Sequence, residues 1–114
     1  MHRGKIWFIN LDPAIGSEIK KTRPAVIVND DAIGILPLKV IVPITEWKDR
    51  YAVAPWMVRL EPDLENSLDK PSAADAFQVR SVAQERFARQ LGKLPDAVMQ
   101  KITQALAVVL SIEL

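Results

Sequence analysis

Short stretches of apolar and β-branched residues recur along the first two thirds of the chain, each bounded by polar or turn-forming residues. Segments of this length and composition are typical of buried β-strands. The first of them contains Trp7 and Phe8 and ends at Asp12-Pro13, a dipeptide that favours a turn. Pro43 falls inside the third, so we expect that strand to bend or to lie at a sheet edge. The pattern predicts five strands, at Lys5–Leu11, Ala25–Asn29, Lys39–Ile44, Trp56–Glu61 and Ala74–Val79.

The last part of the chain changes to a helical period. Pro95 suits the first helical turn, and Asp96 favours its positive end. A shorter helical turn is predicted after Ser81, because Ser81-x-x-Gln84 matches a capping box. Several short strands followed by one terminal helix predict a mainly β (α+β) fold, a small and strongly curved β-barrel closed by the helix. The apolar stripe of that helix is formed by Val98, Ile102, Ala105, Leu106 and Val109.

Length and composition limit the chemistry that the chain can perform. We expect one domain over residues 1–114, with 49% apolar and 25% charged residues. The absence of cysteine excludes disulfides and thiolate catalysis. Because the lone histidine is His2, a histidine–carboxylate metal site or a Ser/His/Asp triad has almost no residues to use. We expect a cytoplasmic protein, since the N-terminus lacks a signal peptide and the longest late apolar run, Ala105–Leu110, is too short to span a membrane.

Positive charge is concentrated near the N-terminus, although the formal net charge is only +1. A polyanion would therefore have to bind a local patch of the surface. We expect that patch where the basic residues outnumber Asp12 and Glu18, at Arg3, Lys5, Lys20, Lys21 and Arg23.

The segment after the first predicted strand contains groups that suit a phosphate. Gly16 lets a backbone approach a ligand closely, and Ser17 offers a hydroxyl. Lys20 and Lys21 would attract a phosphate backbone without regard to sequence. The same residues equally form an ordinary solvated hairpin loop, and their types do not separate the two interpretations.

Arg23 is a candidate for the charge-stabilising group of the site. Pro24 restricts the backbone as the chain enters the second predicted strand, which would hold Arg23 in a defined direction. A guanidinium group is a planar, permanently charged fork that matches phosphate oxygens. The alternative is a surface ion pair with Glu18 or Asp30.

Thr45 and the aromatic residues after it offer further candidates. A hydroxyl at a strand end can contact phosphate or can cap the following turn. Trp47 and Tyr51 lie among cations in a segment that we expect to be mobile. Such residues suit stacking of unpaired bases, or equally a dimer interface.

Six short segments, taken in their order along the chain, resemble the MazF/PemK family of toxin endoribonucleases, and the resemblance covers nearly the whole chain. A lone Gly-Ser-Glu would indicate little, whereas the ordered set is specific. The matching segments are Arg3-Gly4, Asp12-Pro13, Gly16-Ser17-Glu18, Thr22-Arg23-Pro24-Ala25-Val26-Ile27-Val28, Pro43-Ile44-Thr45 and Gln78-Val79-Arg80-Ser81.

The resemblance implies an SH3-like (MazF/CcdB-like) β-barrel with a C-terminal helix, working as a homodimer. It implies metal-independent and cofactor-free cleavage of single-stranded RNA at short sequences, inhibition by a cognate antitoxin, and DNA binding only through the toxin–antitoxin complex. Arg23 and Thr45 match the family's catalytic pair, and Ser17 matches its phosphate-binding serine. The segment that matches the family's RNA groove contains Gln78, Arg80 and Ser81, and we add Gly16, Lys20, Lys21 and Trp47 as RNA-binding candidates.

One departure concerns base reading. The family often has an acidic residue before the glutamine, whereas here Phe77 precedes Gln78 and the acid is Asp75. Two other functions compete with RNA cleavage. One is a CcdB-like toxin that poisons DNA gyrase, which needs a C-terminal tryptophan that residues 109–114 lack. The other is a non-catalytic SH3-like binding module.

Overall fold

The computed structural model of the protein describes residues 1–33 and 35–113. In that part of the chain, seven strands precede one α-helix, α1 (Asp96–Leu110). Four 3₁₀ turns lie between strands, at Asp31–Ile33, Asp49–Val53, Ala76–Gln78 and Gln84–Arg86. The strands are β1 (Lys5–Asn10), β2 (Thr22–Ile27), β3 (Leu38–Glu46), β4 (Met57–Leu60), β5 (Ser72–Asp75), β6 (Arg80–Ala83) and β7 (Phe87–Lys93).

The strands form one antiparallel sheet in the order β4-β5-β3-β2-β1-β7, and β6 pairs with β3 beside this path. The ladder does not join β4 to β7 directly within the described chain. A loop bridges the gap instead, because the carbonyl of Glu65 accepts a hydrogen bond of 3.0 Å from the backbone N–H of Lys93. The barrel-like, mainly β fold with a terminal helix is therefore confirmed, although its closure uses a loop rather than a continuous ladder.

β3 is a central strand, so of the two expectations for Pro43, a bend or a sheet edge, the edge position is wrong. Its first half, through Ile41, pairs with β6, and its second half, from Ile44, pairs with β5. β2 lies along its other side. Pro43 lies between the residues of β3 that pair with β6 and those that pair with β5. Its lack of a backbone N–H therefore removes no hydrogen bond from either pairing.

Two apolar clusters cover opposite faces of the central strands. Val26 and Val42 belong to the larger cluster, which α1 joins through Met99, Ile102 and Ala105. Ala25, Ile27 and Ile41 belong to the smaller one, with Ile9, Leu11 and Val82. Because β2 and β3 are buried on both faces, their sequences are continuous apolar runs rather than alternating patterns.

Two of the sequence-based boundaries near residues 74–86 are wrong. The strand predicted at Ala74–Val79 ends at Asp75, whose carboxylate accepts a hydrogen bond of 3.1 Å from the N–H of Phe77 and caps a 3₁₀ turn. Ser81 is no helix cap, because it lies within β6 opposite Val40. The predicted helical turn is a 3₁₀ turn that begins three residues later, at Gln84.

The strand β7 is absent from the sequence-based prediction. Its segment, FARQLGK, is interrupted by polar and basic residues, and it forms a strand because it pairs with β1. The second strand was predicted at Ala25–Asn29 and is observed at Thr22–Ile27. The predicted C-terminal helix is confirmed, with Pro95 at the N-cap rather than inside the first turn. No helix of the described chain is both long and apolar enough to cross a membrane.

Replacing Gly92 with alanine is expected to lower the free energy of unfolding by about 1–3 kcal/mol. A Cβ atom at this position would lie 2.3 Å from the carbonyl oxygen of Glu65 and 2.7 Å from backbone atoms of Asn66. The clash would push away the loop that bridges β4 and β7. Urea unfolding measures the loss. The control is Gln90→Ala, at an exposed position of the same strand; equal stability of the two variants would contradict this account of the closure.

Candidate functional site

The antiparallel register of β2 and β3 brings Arg23 and Thr45 together. Ala25 lies opposite Pro43, so continuing the register by two residues places Arg23 opposite Thr45. Directly opposed residues of an antiparallel pair lie on the same face. Both residues line one cleft of about 320 Å³. The structure thus places the two predicted catalytic residues at one concave surface.

Arg23 is half-buried and is held by its own loop. Its Nε donates a hydrogen bond of 3.0 Å to the carbonyl of Lys20. Within the described chain it pairs with neither Glu18 nor Asp30, whose carboxylates accept backbone N–H groups at 2.6 and 2.8 Å instead. The terminal nitrogens of the guanidinium group therefore remain free to contact an anion.

Thr45 lies one residue before the end of β3, half-buried, opposite the small Ala73 of β5. Its hydroxyl group makes no hydrogen bond to the residues that the structure describes. The 3₁₀ turn that follows has Lys48 at its N-cap and no side-chain cap, so the structure does not show Thr45 in the turn-capping role. The hydroxyl is available to a ligand in the cleft.

The loop between β1 and β2 carries four of the candidates, all exposed. Gly16 adopts a left-handed conformation, with a φ of 59°. The loop is closed at its base by the N–H of Leu11, which donates to the carbonyl of Lys21 at 2.9 Å. The N–H of Lys21 in turn donates to the carboxylate of Asp12 at 2.9 Å. Ser17 and Lys20 are therefore presented to solvent by a loop with a fixed base.

Gln78 ties this loop to the turn between β5 and β6. Its Oε1 accepts a hydrogen bond of 2.6 Å from the N–H of Ile19, and its Nε2 donates to the carbonyl of Ser17 at 3.2 Å. Both ends of the amide are therefore engaged in positioning the loop. This arrangement identifies Gln78 as a positioning residue for the segment that leads into Arg23.

A second cleft, of about 540 Å³, lies beside the first along β3. Ser17, Gln78 and Arg80 line it together with Pro43, which is two residues from Thr45. Arg80 donates a hydrogen bond of 3.4 Å from Nη1 to the carbonyl of Leu11. Ser81 is exposed and lines neither of these two clefts. The structure thus brings together two of the three predicted groove residues, Gln78 and Arg80, with the predicted phosphate-binding residue Ser17.

Asp75 accepts hydrogen bonds from the backbone and the side chain of Gln78. Its side chain is only 5% exposed, and burial raises the pKa of this carboxyl group above its ordinary value of 3.8. Hydrogen bonds from Phe77 and Gln78 partly oppose that effect. The acidic residue that sequence analysis found displaced from its usual position therefore faces inward. Phe77 is exposed instead, and its ring lies 5.9 Å from that of Trp56 in an edge-to-face contact.

Trp47 stands apart from both clefts. The guanidinium of Arg59 lies 4.7 Å above its ring, and the ring of Tyr51 meets it edge-on at 5.9 Å. Tyr51 lies in a 3₁₀ turn, Asp49–Val53, and the mobility of the segment stays a prediction. Stacking of bases on Trp47 stays a prediction.

Sequence analysis missed basic residues that share the cleft of Arg23. Lys70 lies in it, 3.5 Å from the carboxylate of Glu46. Arg89 lies in it with its guanidinium 4.6 Å above the ring of Phe8. Arg89 was missed because β7 was missed, and its neighbours in the sequence, Ala88 and Gln90, give it no distinctive pattern. No three metal-ligating side chains of the described residues are grouped closely enough to hold an ion.

A sequence model of the PemK-like, MazF-like toxins of type II toxin–antitoxin systems matches residues 2–110. The chain belongs to this family. Endoribonuclease MazF9 of Mycobacterium tuberculosis is 35% identical over 112 residues, which cover 93% of this chain and 92% of that protein. Endoribonuclease PemK of Escherichia coli is 28% identical, over 97% of this chain and 83% of that protein.

Solved structures have the same fold as this MazF/PemK-family chain. MazF from Deinococcus radiodurans matches with a TM-score of 0.79 and 25% identity, over 97% of this chain and 96% of that chain. An endoribonuclease in complex with its cognate antitoxin, from a mycobacterial species, matches with a TM-score of 0.80 and 22% identity. That match covers 100% of this chain and 98% of the other.

The buried carboxyl group of Asp75 should make stability depend on pH. Because its pKa is higher in the folded state, the folded protein holds this proton more tightly, and the contribution of Asp75 to the free energy of unfolding falls as the pH rises from 3.8 through the folded-state pKa. Asp75→Asn removes the ionisation and keeps an acceptor for Phe77. The stability of the variant relative to the wild type is therefore expected to increase with rising pH.

Urea unfolding between about pH 3 and pH 7 measures this difference. Glu85→Gln, which removes an exposed carboxyl group, serves as the control. A difference between Asp75→Asn and the wild type that does not change with pH would contradict the effect assigned to burial.

Proposed function

We propose that this chain is a toxin endoribonuclease that cleaves single-stranded RNA, including mRNA, at short specific sequences. The observation that carries the proposal is the cleft in which Arg23 and Thr45 lie on one face of the paired strands β2 and β3. Membership of the family supports it, as do the relatives that are named endoribonucleases.

The reaction needs no nucleophile from the protein. The 2′-hydroxyl group of the RNA attacks the adjacent phosphorus, and the bond to the 5′-oxygen of the next nucleotide breaks. The products carry a 2′,3′-cyclic phosphate and a 5′-hydroxyl. Arg23 stabilises the negative charge that builds on the phosphate oxygens, a preorganised electrostatic role. In this proposal Arg23 acts through its positive charge and its fixed fork of N–H donors, which matches the phosphate oxygens.

Thr45 and Ser17 orient the scissile phosphate through their hydroxyl groups. In this proposal the RNA runs from the first cleft to the second along β3, which lines the first with Thr45 and the second with Pro43. Arg80 contacts the RNA in the second cleft. Gln78 holds the β1–β2 loop there with one hydrogen bond at each end of its amide, and it contacts bases through the second lone pair of the amide oxygen. Gly16, Lys20, Lys21, Trp47 and Ser81 complete the proposed RNA-binding surface.

A cognate antitoxin inhibits the enzyme in this proposal. A cleft that contains Arg23, Lys70 and Arg89 can accept an acidic peptide segment as readily as RNA. Residues 1–114 act as one domain, and the protein works as a homodimer in the cytoplasm. It uses neither a metal nor a cofactor, and it contacts DNA only through the toxin–antitoxin complex. The family match disfavours the gyrase-poisoning alternative, and RNA cleavage would exclude the non-catalytic module.

Arg23→Ala is expected to reduce RNA cleavage by at least about 100-fold, the usual effect of removing a group that stabilises charge in a transition state. The purified protein is incubated with a long single-stranded RNA in EDTA, and the ends are mapped. Discrete cuts with cyclic-phosphate ends are expected from the wild type.

Lys101→Ala, which removes an exposed charge from α1, controls for a general loss of positive charge and is expected to cut normally. Circular dichroism checks that each variant is folded. Intact RNA with folded wild type would contradict the proposed activity, and full activity of Arg23→Ala would contradict the role of Arg23.

A further inference from the structure

Arg89 lies two strands away from Pro24, the neighbour of the candidate catalytic residue Arg23. Phe8 on β1 lies opposite Pro24 of β2 on one side and opposite Arg89 of β7 on the other. Since neighbouring strands lie about 4.8 Å apart, the backbone of Arg89 is roughly 10 Å from that of Pro24, the residue after Arg23. Arg89 and Arg23 therefore supply two separate cations to the same cleft.

The guanidinium of Arg89 is oriented but not neutralised. It lies 4.6 Å from the ring centre of Phe8, a distance typical of a cation–π contact. It forms neither a hydrogen bond nor an ion pair with the residues at positions 1–33 and 35–113. Arg80 and Arg86, by contrast, donate hydrogen bonds to backbone carbonyls. The N–H donors of Arg89 are thus unused by the described residues while its guanidinium lies over the ring of Phe8.

The carboxylates of the cleft leave this cation accessible. Glu46 lies 3.5 Å from the Nζ of Lys70, and Asp69 forms no ion pair with any described residue. A guanidinium group with unused N–H donors matches two oxygens of one phosphate group. Because the contact with Phe8 already limits its rotation, less conformational freedom is lost when the phosphate binds.

We propose that Arg89, held against Phe8, binds a second phosphate of the RNA, beside the scissile phosphate at Arg23. This inference rests on the proposed function and adds a subsite to it. The subsite contributes RNA affinity that does not depend on base sequence. It also places the RNA across β1, so that the scissile phosphate reaches Arg23. Phe8 is the positioning residue of the subsite.

The test measures binding of a fluorescent RNA with deoxyribose at the cut position, over a series of salt concentrations. Arg89→Ala is expected to weaken binding about tenfold, to a similar extent for RNAs of different sequence. The slope of log affinity against log salt should fall by about 0.7, the loss of one phosphate contact with a single strand. Arg89→Lys should keep the slope and recover part of the affinity.

Lys93→Ala is the matched control, because it removes an exposed charge from the same strand outside the cleft and should change neither quantity. An unchanged salt slope in folded Arg89→Ala, or a loss confined to one base identity, would overturn the proposal. If the wild type binds RNA but never cuts it, the proposed function fails. The comparison of slopes, made with unmodified RNA, then still decides the role of Arg89.

Discussion

The antiparallel pairing of β2 with β3 is the interaction on which both the core and the candidate site depend. Val26 opposite Val42 contributes to the cluster beneath α1, while Ile27 opposite Ile41 contributes to the cluster on the other face. A slip of one residue would exchange the two faces and bury the wrong side chains. The same register places Arg23 opposite Thr45, so the packing that stabilises the fold also fixes the geometry of the site.

The parts of the candidate site are held by hydrogen bonds between side chains and backbone groups, and a site of this kind suits catalysis by charge and orientation. Gln78 binds the β1–β2 loop at Ile19 and Ser17, and the carbonyl of Lys20 in that loop holds the Nε of Arg23. The buried Asp75 supports Gln78 from inside the fold. The guanidinium group is thus oriented without an ion pair to any carboxylate at positions 1–33 and 35–113, which suits a group proposed to meet a negatively charged phosphate.

Local patterns predicted the elements that carry their own signal, such as β1 and the helix α1. They failed for β7, because its mixed sequence becomes a strand only through pairing with β1, and for Ser81, because a capping-box pattern can also occur within a strand. Resemblance to the family selected Arg23 and Thr45, but only the register shows that they are opposed. Arg89 could not be predicted at all, since its contact with Phe8 spans 81 positions of the sequence and depends on the missed strand.

The central claim is that the RNA itself supplies the nucleophile and the protein supplies charge. The most direct test replaces the single 2′-hydroxyl at a mapped cut position with hydrogen and measures cleavage of that bond, with the unmodified RNA beside it. The account predicts that this bond stays intact while other recognition sequences in the same molecule are still cut. Continued cleavage at the deoxyribose position would contradict the account, because the attacking oxygen would then have to come from water or from the protein.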